Sequence, residues 1–218
     1  MNPLNIDFVK TIYFNLKYLP LNQALKFPIY IYRKVRFNRL KGDIYLNIPN
    51  IKHGMIKIGK VILGNVDYRY TRTILEIDGR ISFSGNAVIG QGTKLTVGKN
   101  GILSIGDNFS VTGGNTTIIC NKKIVFGNND LLSWDILMMD TDYHKIFDKN
   151  GQKINEDMPI SIGNNVWIGC RNTILKGVKI NNNNVVAANS TITKSINDNN
   201  CIIGSNTKIL KQDISWRR

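Results

Sequence analysis

Histidine and cysteine are scarce in this 218-residue chain, and their scarcity excludes several kinds of site. The three cysteines, Cys120, Cys170 and Cys201, lie far apart and form no CxxC pair, so neither a disulfide framework nor a zinc site is indicated. The two histidines, His53 and His144, are too few for a zinc centre with three histidine ligands. We therefore expect a protein without a metal.

Long apolar runs and signal-like segments are also missing. The sequence has no run of about 18 apolar residues to cross a bilayer, and residues 1–20 lack the basic-then-apolar order of a secretion signal. Together with the lack of a disulfide pattern, this predicts a cytoplasmic protein. Hydrophobic residues at 42% and charged residues at 20% predict a folded chain, and its length fits one folding unit.

Acidic residues are few near the start of the chain, although the whole chain carries a net charge of +14. Residues 1–60 contain eleven Lys and Arg against two Asp, a net charge of +9, and aromatic residues alternate with basic ones from Phe8 to Phe37. Pro20 and Pro28 exclude one long helix there, so short irregular elements are expected. Such a segment attracts anions, either lipid headgroups at the inner membrane face or an acidic glycan. Nucleic acid is not expected, because no nucleic-acid-binding module is recognisable.

What the sequence does contain is a six-residue repeat. Small residues follow several of its aliphatic positions, at Gly163, Gly169 and Ala187, where a tight corner leaves little room. Asparagines, which tolerate left-handed backbone angles, fill many of the other places. A period of six with one inward aliphatic predicts a triangular coil of three short parallel strands, roughly 18 residues per turn. The aliphatic column is Ile162, Ile168, Ile174, Ile180, Val186 and Ile192.

Less regular repeats precede this run, and the pattern stops at a predicted protruding loop, residues 140–161. The expected organisation is a basic aromatic segment at 1–60, packed on or beside the coil, a β-helix at 61–210 and a tail at 211–218. The irregular repeats lie around Val88, Val97, Ile105 and Phe126.

Three segments of the repeat resemble the hexapeptide-repeat acyltransferases, and among them the galactoside, maltose and polysaccharide O-acetyltransferases. They are Ile162–Gly169, Gly177–Ile180 and Val186–Lys194, within a resemblance that covers about residues 102 to 210. The resemblance implies an all-β, left-handed parallel β-helix. The hand is taken from the family, because parallel crossovers are otherwise nearly always right-handed. The resemblance also implies a homotrimer with sites between neighbouring coils.

The resemblance implies transfer of an acetyl group from acetyl-CoA to a hydroxyl of a sugar or surface polysaccharide, directly and without a metal. The run Asp140–His144 is similar to the loop that carries the family's catalytic histidine, so His144 is the candidate general base. An imidazole titrates near neutral pH and can take a proton from an attacking hydroxyl. Asp142 is the candidate that orients it, with Asp140, Asp148 and a backbone carbonyl as alternatives.

The resemblance also places contacts with coenzyme A on residues of the later repeats. The broad face of Trp167 suits the pantetheine arm, for which small side chains at Cys170 and Ala188 leave room. A hydroxyl at Thr193 and a charge at Lys194 suit the cofactor's phosphates. The full candidate set is Trp167, Gly169, Cys170, Ala188, Thr193, Lys194 and Lys211.

Corner residues and the end of the repeat add further expectations. The N–H groups of Gly169 and Cys170 are candidate donors to the oxyanion of the tetrahedral intermediate. Covalent catalysis by Cys170 is disfavoured, because no second histidine lies near it in sequence and the family transfers the acyl group directly. The family's Gly-Asn-Pro-Ala-Lys ending is Gly204-Ser-Asn-Thr-Lys208 here, and the lost proline weakens the placement of Lys211.

Two other functions fit the same pattern. An aminosugar N-acyltransferase shares the scaffold and the donor but attacks with an amine, and the sequence hardly separates it from an O-acetyltransferase. A non-catalytic β-helix, acting as a scaffold or binding module, would have no need of a histidine in the loop.

Overall fold

The computed structural model describes residues 5–62, 64, 66, 67 and 69–217. In this part of the chain two α-helices come first, 22 strands follow, and a short 3-10 helix, Ser205–Thr207, lies between the last two strands. The strands are β1 (Ile29–Ile31), β2 (Val35–Leu40), β3 (Asp43–Leu46), β4 (Ile56–Lys60), β5 (Thr73–Ile77), β6 (Arg80–Phe83), β7 (Ala87–Gly90), β8 (Lys94–Val97), β9 (Ile102–Ile105), β10 (Phe109–Gly113), β11 (Thr117–Cys120), β12 (Lys123–Phe126), β13 (Leu131–Trp134), β14 (Leu137–Met139), β15 (Ile160–Ile162), β16 (Trp167–Ile168), β17 (Thr173–Leu175), β18 (Lys179–Ile180), β19 (Val185–Val186), β20 (Thr191–Ile192), β21 (Ile202–Ile203) and β22 (Ile209–Lys211).

Helix α1 covers Phe8–Tyr18 and helix α2 covers Leu21–Ala24. The side chain of Asp7 caps the start of α1 by accepting a hydrogen bond from the Lys10 N–H at 3.0 Å. The helix ends two residues before Pro20, which disfavours helical angles in the residue that precedes it. Neither of the two α-helices in the described ranges has the length and apolar character needed to span a membrane.

The strands form three sheets in which every third strand stacks on the last. The first sheet has the order β1-β4-β7-β10-β13-β16-β19-β21-β22, the second β2-β5-β8-β11-β14-β17-β20, and the third β18-β15-β12-β9-β6-β3. Neighbours pair in parallel, except that β22 returns antiparallel to β21. The chain therefore winds around three faces, which confirms the left-handed parallel β-helix.

The predicted aliphatic column is confirmed, since all six members are buried at 2% exposure or less. They occupy the three faces in turn, with Ile162 on the third sheet, Ile168 on the first and Ile174 on the second. One apolar core extends from Phe14 in α1 to Ile203 in β21. The irregular upstream repeats also belong to coils, because Val88, Val97, Ile105 and Phe126 lie in β7, β8, β9 and β12.

Side chains at the corner between the third and first sheets hold successive coils together, and we call this set the corner ladder. Every member after the first accepts a hydrogen bond from the backbone N–H of the corner residue one coil earlier, at 2.6 to 2.8 Å. At the last four rungs the next residue is an Asn with φ between 54° and 62°, which confirms the left-handed turns expected at asparagines such as Asn165. The ladder satisfies corner N–H groups inside the protein. Its members are Asn86, Asp107, Asn128, Asn164 and Asn182.

The coil begins at Ile29, which corrects the boundary at residue 61 expected from the sequence. Strands β1, β2 and β3 already pair in parallel with β4, β5 and β6. Segment 1–60 is thus more regular than expected. Its inward residues are buried, but connections of unequal length separate its strands, so no six-residue phase is visible. The expected tail at 211–218 likewise begins inside β22.

Replacement of Leu103 by Ala is expected to lower the free energy of unfolding by about 2–5 kcal/mol, because its fully buried side chain would leave a cavity. Ile102→Ala is the matched control on the same strand. Its side chain faces outward and is 37% exposed, so a loss below about 1 kcal/mol is expected. Urea unfolding followed by circular dichroism measures both losses, and equal values would contradict this fold.

Candidate active site

The predicted loop leaves the coil after β14, at the corner between the second and third sheets, and Asp140 anchors its start. This buried carboxylate accepts hydrogen bonds from three consecutive backbone N–H groups, at 2.7 to 2.9 Å. The donors are Asn121, Lys122 and Lys123, in the preceding coil. Because its carboxylate is bonded to the backbone of the coil, Asp140 fixes the base of the loop and is not the residue that orients the His144 imidazole.

Asn155 organises the loop from inside, and sequence reasoning missed it. Its amide nitrogen donates to the Asp142 carboxylate and to the His144 carbonyl oxygen, both at 2.8 Å. Its amide oxygen accepts the Ile146 N–H at 2.7 Å, and the Ile154 N–H bonds back to the Ile146 carbonyl oxygen at 2.9 Å. The side chain is 9% exposed, so these bonds are shielded from water. A single Asn in a loop without repeat offers no sequence signal for this role.

Asp142 and Asp148, the other carboxylates near His144 in sequence, also bind elsewhere. Asp142 forms an ion pair with Lys176 of the next coil. Hydrogen bonds from Lys176 and Asn155 hold the pKa of Asp142 below its ordinary value of 3.8, so its contribution to the loop is lost only as the pH falls through that lowered value. Asp148 accepts two backbone N–H groups of its own turn.

His144 is exposed on this pinned loop. The backbone N–H of His144 donates to the Asp142 carbonyl oxygen at 2.6 Å, and the preceding Tyr143 has a φ of 59°. Asp142 therefore positions the loop, and in this chain its carboxylate bonds to Lys176 and Asn155 rather than to the imidazole. His53, far away in the first coils, shares a hydrogen bond with a tyrosine hydroxyl at 3.1 Å.

Three of the coenzyme A candidates lie together at the corner between the first and second sheets. A Cβ at Gly169 would come within 2.9 Å of the Ala188 nitrogen, so glycine lets two coils approach closely here. The Gly169 N–H donates to the Val186 carbonyl oxygen at 2.9 Å. Gly169 is therefore not available as the oxyanion donor expected from the sequence, and the Cys170 N–H stays as the candidate.

Asn172 supports this corner and was not predicted. The side chain is buried, donates to the Gly169 carbonyl oxygen at 2.8 Å and accepts the Ser190 N–H at 2.7 Å. The sequence did hold a signal. Two residues before a column aliphatic the repeat has Val166 and Val178, and an Asn at the equivalent place indicates a buried, hydrogen-bonded side chain.

Trp167 lies against Trp216, another residue that sequence reasoning missed. The two ring centroids are 5.9 Å apart, with the planes at 45°. The Trp167 indole N–H donates to the Ser133 hydroxyl at 3.1 Å, and that of Trp216 donates to the Asn165 carbonyl oxygen at 2.8 Å. The segment after β22 thus returns to the first sheet, where Trp216 forms an aromatic wall beside the partly exposed Trp167.

The remaining candidates do not join this group. Thr193 and Lys194 are exposed after β20, at the corner between the second and third sheets, from which the loop with His144 also leaves. Lys211 is exposed in β22. One chain therefore divides the candidate residues between two corners of the coil.

An open recess of about 230 Å³ lies at the corner that carries Cys170. Its lining includes the indole of Trp134, the side chain of Asn115 and the guanidinium of Arg171, which is 3.8 Å from the Asp135 carboxylate. An indole face beside polar and charged groups is a surface on which a sugar ring can stack and form hydrogen bonds.

Replacing Asn155 by Ala is expected to loosen the loop by about 1–3 kcal/mol, since it removes three shielded hydrogen bonds. Amide hydrogen exchange at Ile146 and Ile154 should accelerate about 5- to 100-fold while global unfolding is little changed. Asn150→Ala, at the exposed tip of the same loop, is the control. Unchanged exchange in the Asn155 variant would contradict its organising role.

Cys170 is expected to react first with a thiol reagent in the native protein. Burial, with the neighbouring Asp140 charge, raises the pKa of Cys120 to about 12, and burial also raises the pKa of Cys201. Cys170 is the partly exposed one of the three. Mass spectrometry of the labelled protein gives the order of modification, and rapid labelling of Cys120 would contradict its burial. Coenzyme A should slow the labelling of Cys170 if the cofactor arm passes along this corner.

Comparison with known proteins shows which proteins this chain is similar to. Residues 159–194 match the family model described as bacterial transferase hexapeptide (six repeats). Galactoside O-acetyltransferase of Escherichia coli K12 is 34% identical over 112 residues, which are 50% of this chain and 54% of that protein. The chain thus spans about half the length of this relative.

Two further relatives carry names that refer to polysaccharides. WbbJ of Escherichia coli K12, named for O-acetyl transfer in lipopolysaccharide biosynthesis, is 29% identical over 175 residues, 73% of this chain and 88% of that protein. The polysialic acid O-acetyltransferase of Escherichia coli O1:K1 is 30% identical over 135 residues, 62% of this chain and 41% of that protein. With its hexad column and its three-faced parallel coil, the chain is similar to the hexapeptide-repeat, left-handed β-helix acyltransferases.

Proposed function

We propose that this protein transfers an acetyl group from acetyl-CoA to a hydroxyl of a sugar or surface polysaccharide, with His144 as general base. The observation that carries the proposal is the position of His144, exposed on a loop whose base and interior are fixed by buried hydrogen bonds. The names of the relatives support the reaction type and the class of acceptor. A scaffold protein would have no use for such an ordered break in its repeat.

The proposed reaction is a direct transfer in a ternary complex. His144 takes the proton of the acceptor hydroxyl while that oxygen forms a bond to the thioester carbonyl carbon. The Cys170 N–H stabilises the oxyanion of the tetrahedral intermediate. When the intermediate collapses, the carbon–sulfur bond breaks and the imidazolium returns the proton to the coenzyme A thiolate. Atoms and charge balance without a further reactant.

The division of residues between two corners supports a homotrimer with sites between copies. In such a site one copy supplies His144, Thr193 and Lys194, and the adjacent copy supplies its Cys170 and Ala188 with the two tryptophans nearby. The cofactor would run through the cleft between them, which no single chain can enclose. The recess with Trp134 and Arg171 opens at the Cys170 corner, and we propose it as the place where the acceptor sugar stacks.

His144→Ala is expected to lower kcat at least about 100-fold, because proton removal from the hydroxyl would be left to water. Free thiol released from acetyl-CoA in the presence of an acceptor glycan measures the rate. The control is His53→Ala, which should keep its activity because His53 lies in the first coils, away from the loop. Activity close to that of the unmodified protein in the His144 variant would overturn its assignment.

Mixing two inactive variants tests whether copies share a site. His144→Ala removes the base from one corner, and Ala188→Trp blocks the other corner at an exposed position. Each variant alone should be inactive, while mixed oligomers should recover about a quarter of full activity, since random assembly pairs an intact loop with an intact corner in that fraction of sites. No recovery in oligomers shown to contain both variants would mean that each site belongs to one chain.

A further inference from the structure

We propose that the N-terminal end of the coil docks on an anionic membrane surface, through the outer face of α1 and an arginine cluster beside it. This inference goes beyond acetyl transfer, which requires no membrane. It rests on two features at one end of the molecule: an apolar helix face turned away from the core, and arginines next to it that form no salt bridge within the described part of the chain.

Helix α1 is apolar on both of its faces. The inner face packs on the first coil, where Phe14 is buried and stacks on Phe37 at 5.5 Å between ring centroids. Asn15 ties this face to the first strand by hydrogen bonds of 2.7 and 3.2 Å with the Ile29 backbone. The helix is thus held rigidly in place. The outer face carries the exposed apolar side chains of Phe8, Val9, Ile12, Tyr13 and Leu16, and Lys17 is exposed at the end of the helix.

The outer face of α1 is unusually apolar for a surface that is exposed to water. A surface helix normally turns charged and polar side chains outward, yet here Phe8 and Val9 are 66% and 79% exposed. Helix α2 extends the apolar area with Leu21 and Leu25, both more than half exposed. Contiguous exposed apolar side chains of this kind mark a surface that binds another phase or protein. Those of α1 lie opposite its inner face, so they can enter a membrane interface without disturbing the core.

The arginine cluster consists of Arg33, Arg36 and Arg72, all exposed. With Lys10 and Lys34 they line an open recess of about 470 Å³. No carboxylate among the described residues forms a salt bridge with these three arginines. By contrast, Lys10 lies 3.1 Å from Asp7, and Arg39 is paired with two carboxylates. Guanidinium groups bind phosphate oxygens in pairs, so the recess suits lipid headgroup phosphates.

The combination selects an anionic bilayer over other occupants. A soluble acidic glycan would satisfy the arginines but not the apolar face of α1. A second copy docked on the same face would cover the apolar side chains but bring two arginine clusters together, at a cost from like charges. An anionic bilayer accepts both, because its phosphates meet the cations and its acyl boundary takes up the apolar side chains.

Sedimentation with vesicles tests the charge component on the full chain. Binding is expected to vesicles of phosphatidylcholine mixed with phosphatidylglycerol and not to phosphatidylcholine alone. The triple variant Arg33→Glu, Arg36→Glu, Arg72→Glu should bind at least about tenfold more weakly. The matched control reverses three exposed lysines elsewhere, Lys94→Glu, Lys99→Glu and Lys179→Glu, and changes the net charge equally. Equal losses in both triples, or equal binding to both vesicle types, would overturn the proposal.

A second pair of variants tests the apolar component. Val9→Ser with Leu16→Ser should weaken vesicle binding, whereas Ile102→Ser with Leu210→Ser, also at exposed positions, should not. If the Val9→Ser, Leu16→Ser variant binds vesicles as well as the unmodified chain does, the proposal is overturned. A lower oligomer mass of this variant by light scattering would also overturn it, because the face would then belong to contacts between copies. Binding of a soluble acidic polysaccharide by the unmodified chain, without any binding to vesicles, would overturn the proposal as well. The His144→Ala chain should bind vesicles normally, so this result is independent of the acetyl transfer proposal.

Discussion

Everything in this molecule depends on how one coil satisfies the polar backbone of the coil before it. Parallel strands bond to each other along the three faces, but at the corners the backbone turns and its N–H groups lose those partners. At the corner between the third and first sheets, the corner ladder supplies an acceptor side chain from the next coil for the N–H groups from Asn86 to Asn164. Asparagine suits both tasks, since it can accept the bond and its neighbour Asn can adopt positive φ. The apolar core can then remain continuous.

The candidate site lies where this regular scheme is interrupted. Asp140 lies at a corner, where a loop of about twenty residues begins. Its carboxylate fixes the start of this loop by accepting hydrogen bonds from three N–H groups of the coil. Inside the loop, Asn155 and the Asp142–Lys176 pair replace the repeat as the source of order. A rigid scaffold therefore presents a histidine on a segment that owes its shape to a few polar contacts.

Local chemistry made much of the coil predictable. The column from Ile162 to Ile192, the turn at Asn165 and the break before Pro159 all follow from spacing and residue type within short windows. What escaped prediction depends on contacts between distant residues. Trp216 bonds to Asn165 across 51 positions, and Asn155 acquires its role only when the loop closes around it. The start of the coil at Ile29 was hidden because unequal connections erase the period before residue 74.

The reversal of direction at β22 ends the parallel pairing of the first sheet. The last rung of a parallel solenoid presents a row of free amide and carbonyl groups that would template the first strand of another molecule. On the first sheet, β22 lies antiparallel on β21, so that part of the row is covered by a strand of the opposite polarity and parallel pairing ends there. At the other end α1 sits on the first coil. On the first sheet, a second molecule therefore meets no free parallel strand on which to continue the coil.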